Sequence, residues 1–341
     1  MPPATAPEPS ASALPLKIVV AGASAGGVEA LSRFVRSLPA DTSAAVLVVL
    51  HVAATGTSVL PSILARHCAL PVASPRDGEP LRAGHVYVAR PDFHLLVEHD
   101  RLRVLNGPRE NGHRPAIDVT MRSAALAYDG ATAGVVLSGT RDDGTAGLLA
   151  IKQHGGYALV QDPDEALYDG MPRSAIAHVE VDAVLPVADI GPWLMESRPA
   201  APIAEPVTEL VDASEGGEPP GAPTRFTCPD CGGVLYEQTP GSLTRYQCSV
   251  GHAYSHESLL SEQAHKVEQA LWTAIRSLDD RAALLERLAT RARDHGDPRS
   301  ADAFAARADE VRAQATKIRE VIRVPAPHGP RGQLSPVPSE A

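Results

Sequence analysis

Short runs made only of apolar residues, each leading into a helical pattern, constrain this chain most. Residues 18–21 form one such run, 45–50 a second and 133–137 a third. Residues 28–37, 58–67, 116–127 and 144–154 carry their apolar positions at helical spacing. A strand that offers no polar face has to be covered on both sides. A mostly parallel sheet with helices on both faces does this. Residues 16–196 are therefore expected to form an α/β domain, doubly wound. Short strands are also expected over 86–89, 94–97 and 157–161, with 102–105 pairing beside the second of them.

Past residue 196 the pattern changes. Residues 197–224 are rich in Pro, Ala, Gly and Glu without periodicity and read as a flexible linker. A small Cys/Gly/His module follows over 225–257, with ribbon strands expected at 225–226 and 243–247. Residues 258–323 read as a helical hairpin broken at His295, Gly296, Asp297 and Pro298, with Ser300 as the cap of its second helix. The ends, 1–15 and 324–341, are Pro-rich and expected to be disordered tails.

A formal net charge of -10 argues against nucleic acid as a partner, because counterion release needs a basic face. The longest apolar run, 44–50, is far too short to cross a bilayer. The first residues lack the basic region of a signal peptide. The expected location is cytoplasmic, with no membrane insertion.

The first apolar run ends in Gly22, Ala23, Ser24, Ala25, Gly26 and Gly27, and a helix follows. This places G-x-S-x-G in a strand–turn–helix context. Small neighbours let the backbone turn sharply around a nucleophile, and the helix start offers N–H groups to an oxyanion. A phosphate-cradling loop is the alternative. Neither a G-x-G-x-x-G fingerprint nor a Walker lysine is present. Where a dinucleotide fold would carry a ribose-binding acid after its second strand, this chain has His51. A third strand end carries Ser138, Gly139, Thr140, Arg141, Asp142, Asp143 and Gly144. Ser24, His51 and an aspartate of that loop can therefore converge at the carboxyl edge of the sheet and act as nucleophile, base and orienting acid. The chain order Ser, His, Asp differs from that of the α/β-hydrolases and argues against an ordinary small-molecule esterase.

Together, these blocks resemble the catalytic domain of the CheB chemotaxis protein-glutamate methylesterases. The same is true of Arg114 to Val119, Gly155 to Asp162 and Gly170 to Ala175, and the likeness runs over about residues 16–194. The resemblance implies hydrolysis of glutamate γ-methyl esters on methylated chemoreceptors or similar proteins, with deamidation of receptor glutamines beside it. It implies Ser24 as nucleophile, His51 as base and Asp143, the aspartate directly before the glycine, as acid, with no cofactor for catalysis. It also implies an oxyanion donor at the backbone N–H of Thr140, where the family commonly has Met. Ala25 replaces the usual Thr, Arg141 a usual Gly, and Val52-Ala53 the usual Met-Pro. His113, Arg114 and Asp118 are candidates to line the cleft, and Arg173, on a Met171-Pro172-Arg173 turn, to touch a peptide substrate. His85, His94, His99, His113 and His154 are each read as an ordinary packing or surface residue rather than a catalytic one, and Cys68 as a small core residue. The receiver domain common in the family is not expected here, since residues 1–15 are too few to form one.

Cys228-x2-Cys231 and Cys248-x3-His252 can supply three thiolates and an imidazole to a structural zinc. A module this small needs such a staple. A metal-free or redox cluster is the alternative. The module is expected to dock other signalling proteins or to anchor the hairpin. A catalytically weak adaptor of the same fold is the competing functional reading, favoured by Ala25, Thr140 and Arg141.

Overall fold

The computed structural model describes residues 17–54, 58–197, 219–239 and 243–323. The chain divides into two compact units, Met1–Leu260 and Ser261–Ala341. The tails at 1–15 and 324–341, and most of the expected linker, lie outside the described residues.

The first unit opens with β1 (Lys17–Ala23), α1 (Gly27–Ser37), β2 (Ala44–Leu50) and the short α2 (Leu60–Ala65). Two short strands, β3 (Val72–Ala73) and β4 (Glu79–Pro80), precede β5 (His85–Val88), β6 (His94–Glu98) and β7 (Arg101–Leu105). Then come α3 (Ile117–Tyr128), β8 (Thr132–Val136), α4 (Thr145–Gln153), β9 (Tyr157–Gln161), α5 (Gly170–His178), β10 (Ala183–Leu185) and α6 (Val187–Glu196). The main sheet runs β10-β9-β8-β1-β2-β5-β3. Every pairing in it is parallel. A separate antiparallel sheet, β4-β7-β6, stands beside it.

Every residue of β1 and β2 is buried. Val19 and Ala21 belong to one apolar cluster, with Leu31, Phe34 and Ile190. Ile18 and Val20 belong to a second cluster, with Ile117, Met121 and Leu148. The alternation of a strand sends successive side chains to opposite faces, and both faces here are covered by helices. Each fully buried aliphatic side chain contributes roughly 1.5–3 kcal/mol over an exposed one. A polar residue among positions 18–21 would forfeit that, which is why this run is unbroken. The one buried charge of β1, Lys17 at its start, donates to Leu194 O at 2.9 Å and Ser197 O at 2.7 Å.

The chain steps from β1 to β2 on one side of the sheet and later returns to β8 on the other side of β1. The crevice of such a sheet opens at that reversal, beyond the carboxyl ends of the strands. Ser24, His51 and the 138–144 loop follow β1, β2 and β8 in turn.

After the undescribed stretch come β11 (Ala222–Thr227), β12 (Val234–Gln238), β13 (Arg245–Cys248) and β14 (Ala253–Ser255). They form one antiparallel sheet in sequence order. β11 takes in residues 222–224, which composition assigns to the linker. Helices α7 (His256–Asp294) and α8 (Pro298–Arg323) are the last described elements. In the second unit α7 and α8 run antiparallel, with Asp279 bonded to Arg319 and Glu286 to Arg312. Ala282, Leu285, Ala308 and Val311 form their seam. The helix cap expected at Ser300 is supplied instead by Asp297, whose carboxylate accepts the Ser300 N–H at 3.1 Å. Pro298 then opens α8, where a missing N–H costs nothing. No described helix is long and apolar enough to cross a membrane.

Candidate active site

Ser24 lies just beyond the last residue of β1, in the turn that enters α1. Its N–H donates to Ser138 O at 2.9 Å, and its carbonyl accepts the Gly27 N–H at 2.9 Å. The turn is thus stitched to the end of β8 on one side and to its own helix on the other. Gly139 presses against it: a Cβ there would sit 3.0 Å from the Ser24 Cβ and collide with Met171 Sδ. A side chain at position 139 would force Met171 to move and crowd the serine.

His51 follows β2, with its N–H donating to Ala23 O at 3.2 Å. Its Nε2 bonds Asp143 Oδ2 at 2.7 Å. The two side chains are 6% and 3% exposed. Of the two aspartates in the loop, only Asp143 reaches the imidazole. Asp142 is turned away, with a buried Oδ1 that has no partner among the described residues. Burial, with Glu257 and Asp143 adding to it against a bond from Ser255, pushes Asp142 up to about 6.

Asp143 is held by more than the histidine. Its Oδ2 accepts the Ile117 N–H at 2.8 Å, and its Oδ1 accepts the Asp118 N–H at 3.3 Å. These are the first free donors of α3, so the positive end of a helix dipole faces the carboxylate. The Asn111 amide donates to Oδ1 at 3.0 Å. Burial works against the charged form. The bond and charge of His51, the nearby His113 and the Ile117 N–H outweigh it, and Asp143 stays well below the usual carboxylate range.

His113 stacks on the His51 ring, with centroids 3.7 Å apart and planes 9° from parallel. Burial, reinforced by His51, pushes it down to about 3 despite Asp143. It is therefore a neutral ring over the working range. Asp118 is buried beneath the site. It accepts the Gly144 and Gly147 N–H groups at 2.9 and 2.6 Å and the Asn111 amide at 3.0 Å. Burial, with Asp143 and Glu110 close by, raises it well above the usual range.

The structure thus brings His51, His113, Asp118 and Asp143 together. Arg114 points elsewhere, holding Asp92 through Nε at 3.1 Å and Nη2 at 2.6 Å. Arg173 lies on helix α5 rather than on a turn, pairs with Asp169 at 2.6 Å and is 61% exposed. Thr140 is exposed in the turn after Gly139. Arg141 sits at φ 64, a left-handed backbone that favours the family's glycine. Three residues escaped the sequence reading: Asn111, Glu110 and Arg122. Arg122 holds Glu110 through two bonds at 2.7 and 2.6 Å. The Asn-Gly pair at 111–112 signals a turn, but nothing local says that the turn faces the site.

Cys228, Cys231, Cys248 and His252 place their ligand atoms within 4.8 Å of one another. Cys231 Sγ is 3.6 Å from Cys248 Sγ, and Cys248 Sγ is 3.6 Å from His252 Nδ1. A disulfide would need about 2.05 Å. Thiolates at about 2.3 Å around a tetrahedral ion would be roughly 3.8 Å apart. The knuckles are built by Cys228 N–H to Gly233 O at 2.7 Å and by Cys248 N–H to His252 O at 3.0 Å. The donor set and its spacing fit a metal ion.

Residues 19–194 match the model of the CheB methylesterase family. A Leptospira interrogans relative, described as a protein-glutamate methylesterase/protein-glutamine glutaminase, is 38% identical over 173 residues, covering 50% of this chain and 90% of that protein. The Bordetella pertussis protein of the same description is 40% identical over 179 residues, or 51% of each chain. The crystal structure of the Thermotoga maritima CheB methylesterase catalytic domain superposes with a TM-score of 0.51 at 35% identity. That likeness covers 53% of this chain and 97% of the other. With both the sequence match and the parallel sheet in agreement over the same stretch, the chain belongs to the CheB methylesterase family.

Proposed function

We propose that this chain hydrolyses glutamate γ-methyl esters, and deamidates glutamines, on methylated chemoreceptors or similar signalling proteins, with Ser24, His51 and Asp143 as the working triad. The observation that carries it is the His51 bond to Asp143 beside the Ser24 turn. Asp143 is ionised and accepts the proton on Nε2, so the lone pair of His51 lies on Nδ1. That atom is buried with no partner among the described residues. It is the one left to take the Ser24 proton.

Ser24 Oγ then attacks the ester carbonyl. The tetrahedral oxyanion is met by N–H groups at the turn, the Thr140 amide among them. His51 returns its proton to the leaving methoxide, and methanol departs. Water, activated by the same imidazole, frees the glutamate from Ser24. With a glutamine substrate the leaving group is ammonia. Asp143 stabilises the imidazolium in both halves. His113, being neutral, adds no competing positive charge.

The same reading assigns a structural zinc to Cys228, Cys231, Cys248 and His252, with no part in the chemistry. A cytoplasmic setting would keep these thiols reduced and able to bind it. Val267, Trp272 and Leu284, exposed on α7, offer contacts for other signalling proteins.

The test is methanol release from methyl-labelled receptor membranes. Wild type is expected to release it, and Ser24→Ala to fall by more than about a thousandfold. A folded wild type that releases none on receptors of its own host would overturn the hydrolase reading in favour of an adaptor of the same fold.

A further inference from the structure

The Cys/His ribbon reaches the acid through one catalytic-domain loop. Residues 109–113 run along the outer edge of β14: the Asn111 N–H donates to Ala253 O at 2.8 Å, and the Ala253 N–H donates to Arg109 O at 3.3 Å. Ala253 is the residue after His252 of the cluster. A catalytic-domain loop therefore makes a single bridge to the β14 edge of the ribbon sheet.

The Asn111 side chain faces both ways. Its amide has two hydrogens, and they go to Asp143 at 3.0 Å and Asp118 at 3.0 Å. Its carbonyl oxygen has two lone pairs, and they go to the ribbon side: the Ser255 N–H at 3.0 Å and Ser258 Oγ at 2.8 Å. All of its hydrogen-bonding capacity is used. The backbone at Asn111 has φ 54, in the left-handed region that asparagine tolerates better than most residues. One residue earlier, Glu110 receives Arg122 from α3 and Arg245 from β13, the latter at 3.0 Å. A cavity of about 300 Å³, lined in part by Asn111, Asp118, Asp142, Arg245 and Ser255, separates the surfaces around these bonds. The polar bonds of Asn111 and Glu110 tie the ribbon to the catalytic domain here.

We propose that Asn111 is a positioning residue through which the metal-bearing ribbon holds the catalytic acid. This rests on the esterase reading above. Metal at the cluster fixes the 248–252 knuckle, the knuckle fixes β14, and β14 holds residues 109–113. That loop presents the Asn111 amide to Asp143 and carries His113 onto the His51 ring. Without the ribbon, the Asn111 carbonyl loses both partners and the amide is free to rotate off the carboxylate. The binding of substrate is left alone; the alignment of base and acid is what suffers.

The experiment uses the full chain, metal-loaded or stripped with a chelator, with metal content measured directly. Wild type, Asn111→Ala and Ser258→Ala are compared. The last removes a ribbon-side donor to Asn111 and the Ser258 bonds to Ser255, touches none of Ser24, His51 and Asp143, and is expected to lower kcat by less than Asn111→Ala. Stripping wild type is expected to lower kcat by about ten- to a hundredfold, the scale of a small misalignment, with KM little changed. Asn111→Ala should cost a similar factor, and stripping it should cost little more. The low-field proton resonance of the His51–Asp143 bond should broaden or shift on stripping. By linkage, Asn111→Ala should surrender its metal more readily than wild type. The proposal is overturned if metal leaves with kcat and that resonance unchanged, or if the effects of stripping and Asn111→Ala simply multiply. Should the wild type prove inactive on every ester, the resonance and the metal affinity still decide the coupling, and only the esterase reading fails.

Discussion

Each residue of the site is given its protonation state by its neighbours. Asp143 stays charged because four donors converge on it: His51, Asn111 and the N–H groups of Ile117 and Asp118. His113 goes the other way, pushed down to about 3 by burial and by His51. Its folded value lies below its ordinary one, so the unfolded chain takes up this proton first as pH falls. The stability it contributes is complete above about 6.5 and drains away toward 3, by at most about 1.4 kcal/mol per pH unit. Replacing it with a ring that cannot titrate removes that loss. His113→Phe should therefore gain on wild type in denaturant midpoint as pH drops from 7 to 4, and an unchanged difference would show that His113 does not carry the effect.

Strand ends and helix starts aim these residues. β1, β2 and β8 deliver Ser24, His51 and Asp143, and α3 delivers backbone N–H groups to the acid. The β8 turn leaves no room at Gly139. Gly139→Ala should destabilise the fold by about 1–3 kcal/mol, as overpacking does. It should also depress activity beyond what the thermal shift explains, because the added methyl meets Ser24 itself. Thermal melts beside methanol release would separate the two. Helix α6 shows where local reading stops. Gly191 and Pro192 look like a turn signal, yet both lie inside it. Val187, Ile190 and Leu194 are buried against the sheet, and Gly191 lets the helix approach Ser37 of α1 closely. Burial overrides the breaker, and no period over so short a window announces it. Helix α5 was hidden in the same way: Met171, Pro172 and Arg173 read as a turn, yet they lie on a helix that buries Met171, Pro172 and Ala175.

At the scale of the molecule, the parallel sheet has two large apolar clusters of its own, and the ribbon has a small one. The ribbon's cluster includes Cys228 and Cys248, two of the four residues that could hold a metal ion. A core that small does not offset the entropy of ordering its chain without a staple. Chelation is expected to raise hydrogen exchange across β12, β13 and β14 by orders of magnitude while β1 and β2 remain protected. Retained protection in the stripped ribbon would mean that the metal is dispensable to its fold.

The sequence by itself determined the α/β class, because the middle of a strand buried on both faces favours apolar residues throughout and leaves an unbroken run. It also determined the places of Ser24 and His51, which fall where such runs end, and the Cys/His knuckles, whose spacing is short-range. It left Asp142 and Asp143 as alternatives until the family pattern separated them, and only the folded chain puts Asp143 against His51. The link from Asn111 to Ser255 and Ser258, the bond from Arg245 to Glu110 and the stack of His113 on His51 were decided by tertiary structure alone. Periodic burial writes itself into neighbouring residues. A contact between loops far apart in the chain depends on how the sheet and the ribbon are placed in space, and no local pattern records it.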